Sequence, residues 1–324
     1  MAAPQSAQSN NLLLNSQVIV FAVVLLLPGL APSVFGWVSG LLATPVFCLL
    51  CINGQKKGTL LIRNGVLLAA IAALILKLVP TLLFSLTLVP LGFSFSRSYN
   101  NKNNEVQAGM RGVIILVASW LIFWTAYGTV QNINPYQNLL EVLDGGFAQM
   151  FEYYRNSDEL PAETLVQLEF AFQEMRRIIP TILPGILCCT VVITVWINLL
   201  FSTTLIARVQ PEITPWKKYS QWRLPDKMVW VLIAAGVTLL LGMEQTSQVG
   251  IGMLLLTSLL YFFQGLAVFI YLLDKWKIPS YLRILIYVIL ILQSYGLILL
   301  ILAGLADVWF NFRRPQSSDN MSGT

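Results

Sequence analysis

No histidine occurs in this chain of 324 residues, and that absence sets the first limit on its chemistry. It removes Ser–His–Asp and Cys–His catalysis, histidine-ligated haem and most catalytic zinc sites. Four cysteines remain, as a Cys48-x-x-Cys51 pair and an adjacent Cys188-Cys189 pair. Both pairs lie inside apolar runs, without the electropositive setting that a reactive thiolate needs. Packing as small hydrophobic side chains explains them better than a redox or metal site.

Four charged side chains cluster just before the apolar run that starts at residue 178: Glu169, Glu174, Arg176 and Arg177. Paired carboxylates can do general acid–base work, but no nucleophile or metal ligand accompanies these two. Pairing of opposite charges three and four residues apart on a solvated helix face is the simpler explanation. The two arginines stand at a membrane entrance and are candidates for attracting an anionic or amphipathic solute. We therefore expect no catalytic residue, metal or cofactor, and a protein that is not an enzyme.

Lys77 is the basic residue that lies deepest inside an apolar run. A charge in hydrocarbon is costly, which makes this lysine a candidate for solute binding. Pro80 follows three residues later and predicts a turn at the membrane surface. Extension of the lysine side chain to the headgroup layer is therefore the favoured interpretation.

Asn198 and Gln264 lie in the middle of apolar runs, and Asp307 lies near the end of the last run. The two amides are candidates for lining a solute path, but hydrogen bonding between helices is the favoured interpretation. Asp307 is expected to form a structural ion pair with Arg313 or Arg314 at a helix end.

Nine apolar runs must position these groups. They cover residues 12–30, 33–52, 59–79, 80–95, 112–130, 178–207, 228–243, 249–273 and 284–309. Only 11% of the residues are charged, whereas soluble domains carry about 25%. Because roughly 20 apolar residues span a bilayer core, the sequence predicts an all-α, polytopic integral membrane helical bundle of about eight to nine transmembrane helices. For the last run, a single tilted span is favoured over a break at residues 293–296.

The segment 131–177 differs from the apolar runs because it carries eight acidic residues and three arginines. Leu165, Leu168 and Phe172 recur at three- and four-residue steps, which predicts an amphipathic helix, and residues 139–154 predict another. Pro180 and Pro184 then predict a broken entry into the next span. The expected organisation is a polar N-terminal tail (1–11), N-terminal membrane helices (12–130), extracytoplasmic acidic amphipathic helices (131–177), C-terminal membrane helices (178–310) and a polar C-terminal tail (311–324).

Loop charge assigns the two membrane sides. Most of the Lys and Arg residues lie in the short stretches 54–58, 97–111, 208–227 and 274–283. Short basic loops stay in the cytoplasm, so these stretches and the N-terminus are expected inside and the acidic segment outside. The net charge of +5 is then a topology signal rather than a sign of nucleic-acid binding. A multi-pass protein of a bacterial inner membrane is expected, with the lipid bilayer as a partner.

Three tryptophans bracket one of the basic stretches. These are Trp216, Trp222 and Trp230, and the basic residues among them are Lys217, Lys218, Arg223 and Lys227. Aromatic rings favour the headgroup layer and basic groups favour anionic lipid, so the loop is expected along the inner leaflet. Docking of a protein partner is the alternative. Pro225 and Asp226 are expected to open the next helix, with the proline in its first turn.

Residues in and after this loop resemble a known family. Trp222-Arg-Leu-Pro-Asp226, Met228-Val-Trp230, Tyr261-Phe-Phe-Gln-Gly-Leu-Ala267 and Gly304-Leu-Ala-Asp-Val-Trp-Phe-Asn-Phe-Arg313 are similar to the DUF2232, or YybS-like, family of bacterial membrane proteins. Arg177, Pro180, Pro184 and Asn198 fit the same pattern, which is strongest over 177–314. Asn311 departs from it, since an acidic residue is more typical there. The resemblance does not imply an activity, because none is established for the family. It implies a fold that is loosely similar to the substrate-binding membrane subunits of energy-coupling-factor vitamin transporters.

Two hypotheses for the function follow. The leading one is a non-enzymatic membrane protein that binds or transports a small anionic or amphipathic solute, as a transporter or as a recognition subunit beside an ATPase module. The alternative is a non-catalytic scaffold that docks protein partners through its basic cytoplasmic loops. A water-accessible cavity lined by Asn198 and Gln264 would favour the first hypothesis. Burial of these amides in tight helix contacts would favour the second.

Overall fold

The computed structural model describes residues 4–156, 161–212, 216–241 and 244–313. Within these ranges the chain forms helices joined by turns and contains no strand, so the expected all-α class is confirmed. The helices are α1 (Pro4–Leu30), α2 (Pro32–Phe35), α3 (Ala43–Leu76), α4 (Val79–Leu86), α5 (Val89–Asn100), α6 (Glu105–Gln131), α7 (Pro135–Asn156), α8 (Ala162–Val209), α9 (Met228–Leu240), α10 (Glu244–Lys275), α11 (Ser280–Leu292) and α12 (Ser294–Phe310). The 3₁₀ helices Gly36–Leu41 and Tyr219–Gln221 lie between them.

Among the described residues, five helices are long and apolar enough to cross a membrane. They are Ala43–Leu76, Val79–Asn100, Glu105–Gln131, Glu163–Val209 and Thr246–Lys275. Counting each of two bent pairs as a span raises the number to seven, which is still below the expected eight to nine. Two features account for the difference: α9 has only 13 residues, and α3 is counted as one helix although it combines parts of two predicted runs that fold back on each other at Gly54.

The helix α3 reverses its direction at Gly54. This glycine has φ 73° and ψ 165°, a conformation that residues with a Cβ rarely adopt. A Cβ on Gly58 would lie 2.9 Å from the Cα of Leu50. Eight residues of straight helix rise about 12 Å, so residues 43–53 and 55–76 must fold back on each other. The basic stretch 54–58 is therefore a tight turn between two antiparallel arms.

The chain divides into two compact units. The first comprises Met1–Glu152 and Thr190–Trp216, and the second comprises Tyr153–Cys189 and Lys217–Thr324. The helices α7 and α8 each contribute residues to both units. The first unit contains Asn198, whereas the clustered candidates near the chain end belong to the second unit.

Aromatic rings form the centre of the first unit. Phe47 stacks on Trp216 with ring centroids 5.5 Å apart, and it meets Phe95 edge-on at 6.3 Å. The helices α3 and α5 approach closely at Gly92, where a Cβ would lie 2.8 Å from the carbonyl oxygen of Ala43. Close approach at small residues is a usual way to pack helices in a membrane.

In the second unit, α12 packs antiparallel against α10 with their backbones in contact. A Cβ on Gly265 would overlap the carbonyl oxygen of Leu300, and a Cβ on Gly304 would overlap that of Tyr261. The helix α9 packs on the N-terminal half of α10, beside Gly250. The contacts of α10 with α9 and α12 thus form the core of this unit.

The helix α8 is continuous over 48 residues and passes through Pro180 and Pro184. The prediction of a proline-broken helix is therefore wrong. Each proline removes one N–H donor, yet the helix continues through both positions. Gly185, next to Pro184, packs closely against Gly252 of α10. At about 1.5 Å per residue, 48 residues extend roughly 70 Å, more than twice the thickness of a bilayer core. The predicted boundary at residue 177, between an amphipathic helix and a membrane helix, therefore lies inside the continuous helix α8.

The structure adds detail at both ends of the described chain. The helix α1 begins at Pro4, so most of the stretch predicted as a polar tail at 1–11 is helical. The last apolar run is two helices, α11 and α12, which meet at Gln293 with a bend of 106°. The extended backbone of Gln293 ends α11, so the run 284–309 has the break at residues 293–296 that the sequence offered as the alternative, and the bent pair is either a broken span or a re-entrant loop. Arg314 and most of the predicted C-terminal tail lie outside the described residues.

Candidate functional site

Asn198 is fully buried in the first unit and all of its amide bonding capacity is used. Its Oδ1 accepts hydrogen bonds from the backbone N–H and the hydroxyl of Thr44, at 3.0 and 3.1 Å. Its Nδ2 donates to the carbonyl oxygens of Gly40 at 2.5 Å and Thr194 at 2.8 Å. The side chain therefore fastens residues 40–44 to α8, and no donor or acceptor remains for a solute.

Gln264 and Asp307 are fully buried in the second unit and are bonded to each other. Gln264 Nε2 donates to Asp307 Oδ2 at 3.0 Å, and Gln264 Oε1 accepts the backbone N–H of Leu224 at 3.2 Å. Arg313 forms an ion pair with the same Oδ2 at 2.5 Å, and the two side chains are 9% and 0% exposed. Asp307 Oδ1 accepts the backbone N–H of Phe312 at 3.1 Å. The structure thus contains the Asp307–Arg313 pair that the sequence predicts.

Arg313 also reaches a loop that is far away in the sequence. It donates to the carbonyl oxygens of Ser220 at 3.2 Å and Trp222 at 2.5 Å. Gln264, Asp307 and Arg313 together are termed the C-terminal clamp here, because they tie the end of α12 to α10 and to this loop. A buried charge pair that also satisfies backbone groups favours one fixed arrangement.

The loop 217–227, termed the basic loop, is attached to the protein on one side and exposed on the other. Tyr219 Oη donates to the carbonyl oxygen of Phe263 at 2.6 Å, and Leu224 is buried. The exposed residues of the basic loop include Lys217, Lys218, Arg223 and Lys227. The loop therefore presents several cations from a backbone that the clamp and α10 hold in place.

Pro225 and Asp226 lie just before α9 rather than inside it. The helix begins at Met228, and the backbone N–H of Met228 donates to the carbonyl oxygen of Pro225 at 3.0 Å. The expectation that these residues open the helix is therefore wrong by two to three positions. The Asp226 carboxylate instead pairs with Arg223 at 3.4 Å, and Arg223 also donates to Asn311 Oδ1 at 3.3 Å.

The three tryptophans around the basic loop have different surroundings. Trp216 is buried in the first unit, where its Nε1 donates to the carbonyl oxygen of Asn103 at 3.1 Å. Trp222 is half-buried and stacks on Tyr219 at 6.3 Å, whereas Trp230 is 71% exposed. Two of the three rings thus pack within the protein, which weakens the expectation that the loop lies along the inner leaflet.

Lys77, Arg176 and Arg177 are exposed, and their positions in helices α3 and α8 do not form a solute site. Lys77 ends α3 in the left-handed conformation, with its backbone N–H bonded to the carbonyl oxygen of Ala73. A cation is favourable at the negative end of a helix dipole, so helix capping explains Lys77 without a solute. The two arginines lie on an uninterrupted stretch of α8 and not at the mouth of a broken helix.

Sequence reasoning overlooked an interruption inside the span that contains α4 and α5. Between the two helices, the backbone N–H groups of Thr87 and Leu88 bond three residues back, at 3.0 and 3.3 Å. Pro90 supplies the reason, because it has no N–H to donate to the carbonyl oxygen of Leu86. This proline is the signal in the sequence that could have predicted the interruption.

Two polar groups beside this interruption are buried and have no hydrogen-bond partner among the described residues. They are the hydroxyl of Ser85, a residue that is 0% exposed, and the indole N–H of Trp120 on α6. Trp120 stacks on Phe84 with ring centroids 6.1 Å apart, and Ser85 is the next residue in the chain. Trp120 thus contacts the residue that precedes Ser85.

Cys48 and Cys51 are free thiols on α3, one buried and one half-buried. Over the described part of the chain, no three Cys, Asp or Glu side chains come together in a group that could hold a metal ion. The C-x-x-C spacing places the two thiols on one side of a helix, as packing residues.

The long apolar helices and the polar groups bonded between them define an all-helical, multi-pass membrane protein. The chain belongs to the DUF2232 family, described as predicted membrane proteins, whose profile matches residues 19–308. The match confirms the resemblance seen over 177–314 and extends it to most of the N-terminal helices. None of the curated proteins and none of the solved structures compared with the chain matches it.

Proposed function

We propose that this protein is a non-catalytic scaffold of a bacterial inner membrane that docks a protein partner on its basic loop. The C-terminal clamp is the observation that carries the proposal. Arg313 holds the carbonyl oxygens of Ser220 and Trp222, and Gln264 holds the N–H of Leu224. A surface whose backbone is already fixed loses less conformational entropy on binding than a mobile loop does.

The charge of the basic loop indicates the kind of partner. Lys217, Lys218, Arg223 and Lys227 are exposed, and Asp226 is the single acidic residue among them. Complementary charge steers association and selects among partners. The partner would therefore present an acidic surface on the cytoplasmic side. An ATPase module and another membrane subunit are the two kinds of partner that this proposal includes.

The buried amides support the scaffold over the solute-binding alternative. A solute path needs polar groups that face water, whereas Asn198 and Gln264 are both 0% exposed and bonded within the protein. Their partners include backbone groups that would lose hydrogen bonds if either amide turned toward a solute. Such a loss costs about 1–3 kcal/mol for each buried group left unpaired.

The proposal is tested with the purified protein in nanodiscs of zwitterionic lipid. A fluorescent glutamate-rich peptide serves as the probe for an acidic partner, and binding is followed by anisotropy. Replacing the four basic residues of the loop by Gln should weaken binding about tenfold, or about 1.4 kcal/mol. Arg313→Gln should weaken it as well, because the loop loses its anchor.

The matched control removes the same charge from exposed residues of the first unit: Lys56, Lys57, Arg97 and Lys102, each replaced by Gln. This control should bind the peptide almost as the natural protein does. Equal losses in both quadruple variants would show general charge attraction and no docking surface. Stabilisation by a small anionic metabolite that Arg176→Gln with Arg177→Gln abolishes would instead support solute binding.

A further inference from the structure

The second arm of α3, residues 55–76, has one packed face and one exposed face. Gly65 lies on the packed face, where a Cβ would lie 2.6 Å from the ring of Phe21 on α1. Leu60 and Leu67 lie on the opposite face, two helical turns apart, and both are exposed. The arm is about 33 Å long and belongs to a helix that is apolar enough to cross a membrane. Its exposed face therefore contacts acyl chains.

Two cations lie on this exposed face. Lys56 comes four residues before Leu60, and Arg63 comes three residues after it, so these side chains share one side of the helix. Both cations are exposed. Arg63 therefore stands between two leucines that face lipid, more than two helical turns beyond Gly54. A cation at that depth is costly unless an anion accompanies it.

The turn that opens the second arm lies against the end of α5 and adds further cations. Gln55 Nε2 donates to Ser96 Oγ at 2.5 Å. Lys56 and Arg97 are the next residues along the chain, so their backbones are close neighbours. Lys102 lies two residues after the end of α5. Five exposed basic residues thus collect at one end of the first unit and are termed the first-unit basic surface here: Lys56, Lys57, Arg63, Arg97 and Lys102.

The chain offers few carboxylates to neutralise this surface. Glu105 is the single acidic residue among residues 1–140. Within the described part of the chain, none of the five cations forms an ion pair. Their counter-charge must therefore come from outside the protein.

We propose that the first-unit basic surface binds anionic phospholipid, with the phosphate at Lys56 and Arg63 and the acyl chains along the exposed face of the second arm. The alternation of cations and leucines favours a lipid over a soluble partner, because one molecule then pairs with the charge and covers apolar surface on the same face. Lysine and arginine both bind phosphate oxygens through charge-assisted hydrogen bonds. The surface belongs to the first unit, so the proposal is independent of the basic loop in the second unit.

Thermal unfolding of the purified, delipidated protein in non-ionic detergent tests the inference. Dioleoylphosphatidylglycerol is the probe, and dioleoylphosphatidylcholine, with the same acyl chains and no net charge, is the matched control. A ligand that binds the native state raises the unfolding temperature, so the anionic lipid should raise it by about 2 °C or more above the value with the zwitterionic lipid. Glycerol phosphate has the phosphate without acyl chains and should leave the unfolding temperature unchanged.

Variants locate the effect. Lys56→Gln with Arg63→Gln should remove most of the difference between the two lipids, and Lys56→Gln alone should remove part of it. The matched control is Lys218→Gln with Lys227→Gln, which removes the same charge from exposed positions of the basic loop and should keep the difference. Lys56→Arg with Arg63→Lys retains both charges and should also keep it, which separates loss of charge from disturbed folding.

Three outcomes overturn the inference. The first is that phosphatidylglycerol raises the unfolding temperature no more than phosphatidylcholine does. The second is an equal loss in both double Gln variants, which would show general charge attraction, or an equal rise with glycerol phosphate, which would assign the cations to a soluble anion. The third is binding of the glutamate-rich peptide that depends on Lys56 and Arg63 without any lipid effect, which would assign the surface to a protein partner.

Discussion

Arg313 and Asp307 form a buried ion pair, and removing one partner leaves the other charge uncompensated. Arg313→Gln is expected to lower the free energy of unfolding by about 3–5 kcal/mol, measured by denaturant unfolding in detergent. Arg223→Gln is the matched control, because its pair with Asp226 is 38% and 70% exposed. An exposed pair contributes about 0–1 kcal/mol, so similar losses in the two variants would contradict the structural role of the clamp.

The two hydrogen bonds that Asn198 donates, to the carbonyl oxygens of Gly40 and Thr194, can be tested by a substitution that removes the donors. Asn198→Asp keeps the acceptor for Thr44 but removes both donors and buries a carboxylate, so a loss above about 2 kcal/mol is expected. Asn134→Asp is the control. The Oδ1 of Asn134 accepts hydrogen bonds from the backbone N–H groups of Tyr136 and Gln137, and a carboxylate oxygen can accept the same bonds. That change should leave the free energy of unfolding nearly unaltered in the same assay.

The sequence identified some of these residues, but it could not supply their partners. Asp307 and Arg313 lie six positions apart, so their pairing could be predicted from the local sequence. Thr44 lies 154 positions from Asn198, and only the packing of α3 against α8 brings the two together. Ser85 could not be singled out from the sequence, because a serine in an apolar run carries no charge signal. Its lack of a hydrogen-bond partner among the described residues is visible only in the packed structure.

At the scale of the helices, the contact between α10 and α12 is the most exacting. Gly265→Ala would place a Cβ on the carbonyl oxygen of Leu300, and the neighbouring atoms are backbone that cannot rotate away. A loss of about 3 kcal/mol or more is expected in thermal or denaturant unfolding, as for severe overpacking. Gly236→Ala on α9 is the control, because nothing lies within 4 Å of its Cβ position. That variant should be up to about 1 kcal/mol more stable, since alanine favours helix over glycine. Destabilisation of both to the same degree would exclude close packing as the cause.

Helix positions followed from the apolar runs, whereas several helix ends did not. Helices α3, α5, α6, α10 and α12 end near residues with positive φ that are not glycine: Lys77, Lys102, Asn132, Lys277 and Asn311. Glycine is the usual residue for this conformation, so the sequence lacked the common stop signal. Pro180 and Pro184 had the opposite effect, because they suggested a break in a helix that packing keeps continuous.

For the whole molecule, the contacts agree with the loop charges within the first unit. Gln55 Nε2 donates to Ser96 Oγ at 2.5 Å, which places the turn of α3 beside the C-terminal end of α5. Both ends carry exposed basic residues, such as Lys56 and Arg97. The basic stretches 54–58 and 97–111 therefore meet at one end of the helices, as a common cytoplasmic side requires.

The clamp extends this reasoning to the end of the chain. Arg313 lies three residues after the end of α12 and is bonded to Ser220 and Trp222, so this end of α12 lies at the basic loop. If that loop is cytoplasmic, as its charge predicts, the end of α12 must be cytoplasmic too. This requires α11 and α12 to enter and leave on one side, in accordance with their bend of 106°.

Cysteine labelling in intact cells checks this topology, in a variant whose four native cysteines are replaced by Ala. Phe312→Cys and Lys218→Cys should both resist a membrane-impermeant thiol reagent until the cells are opened, because both positions are expected inside. Asn156→Cys, at the end of the acidic helix α7, should react at once. If Phe312→Cys reacted in intact cells while Lys218→Cys stayed protected, the end of α12 and the basic loop would lie on different sides of the membrane, which would contradict the clamp. Reaction of both, with Asn156→Cys protected, would preserve the clamp and invert the membrane sides.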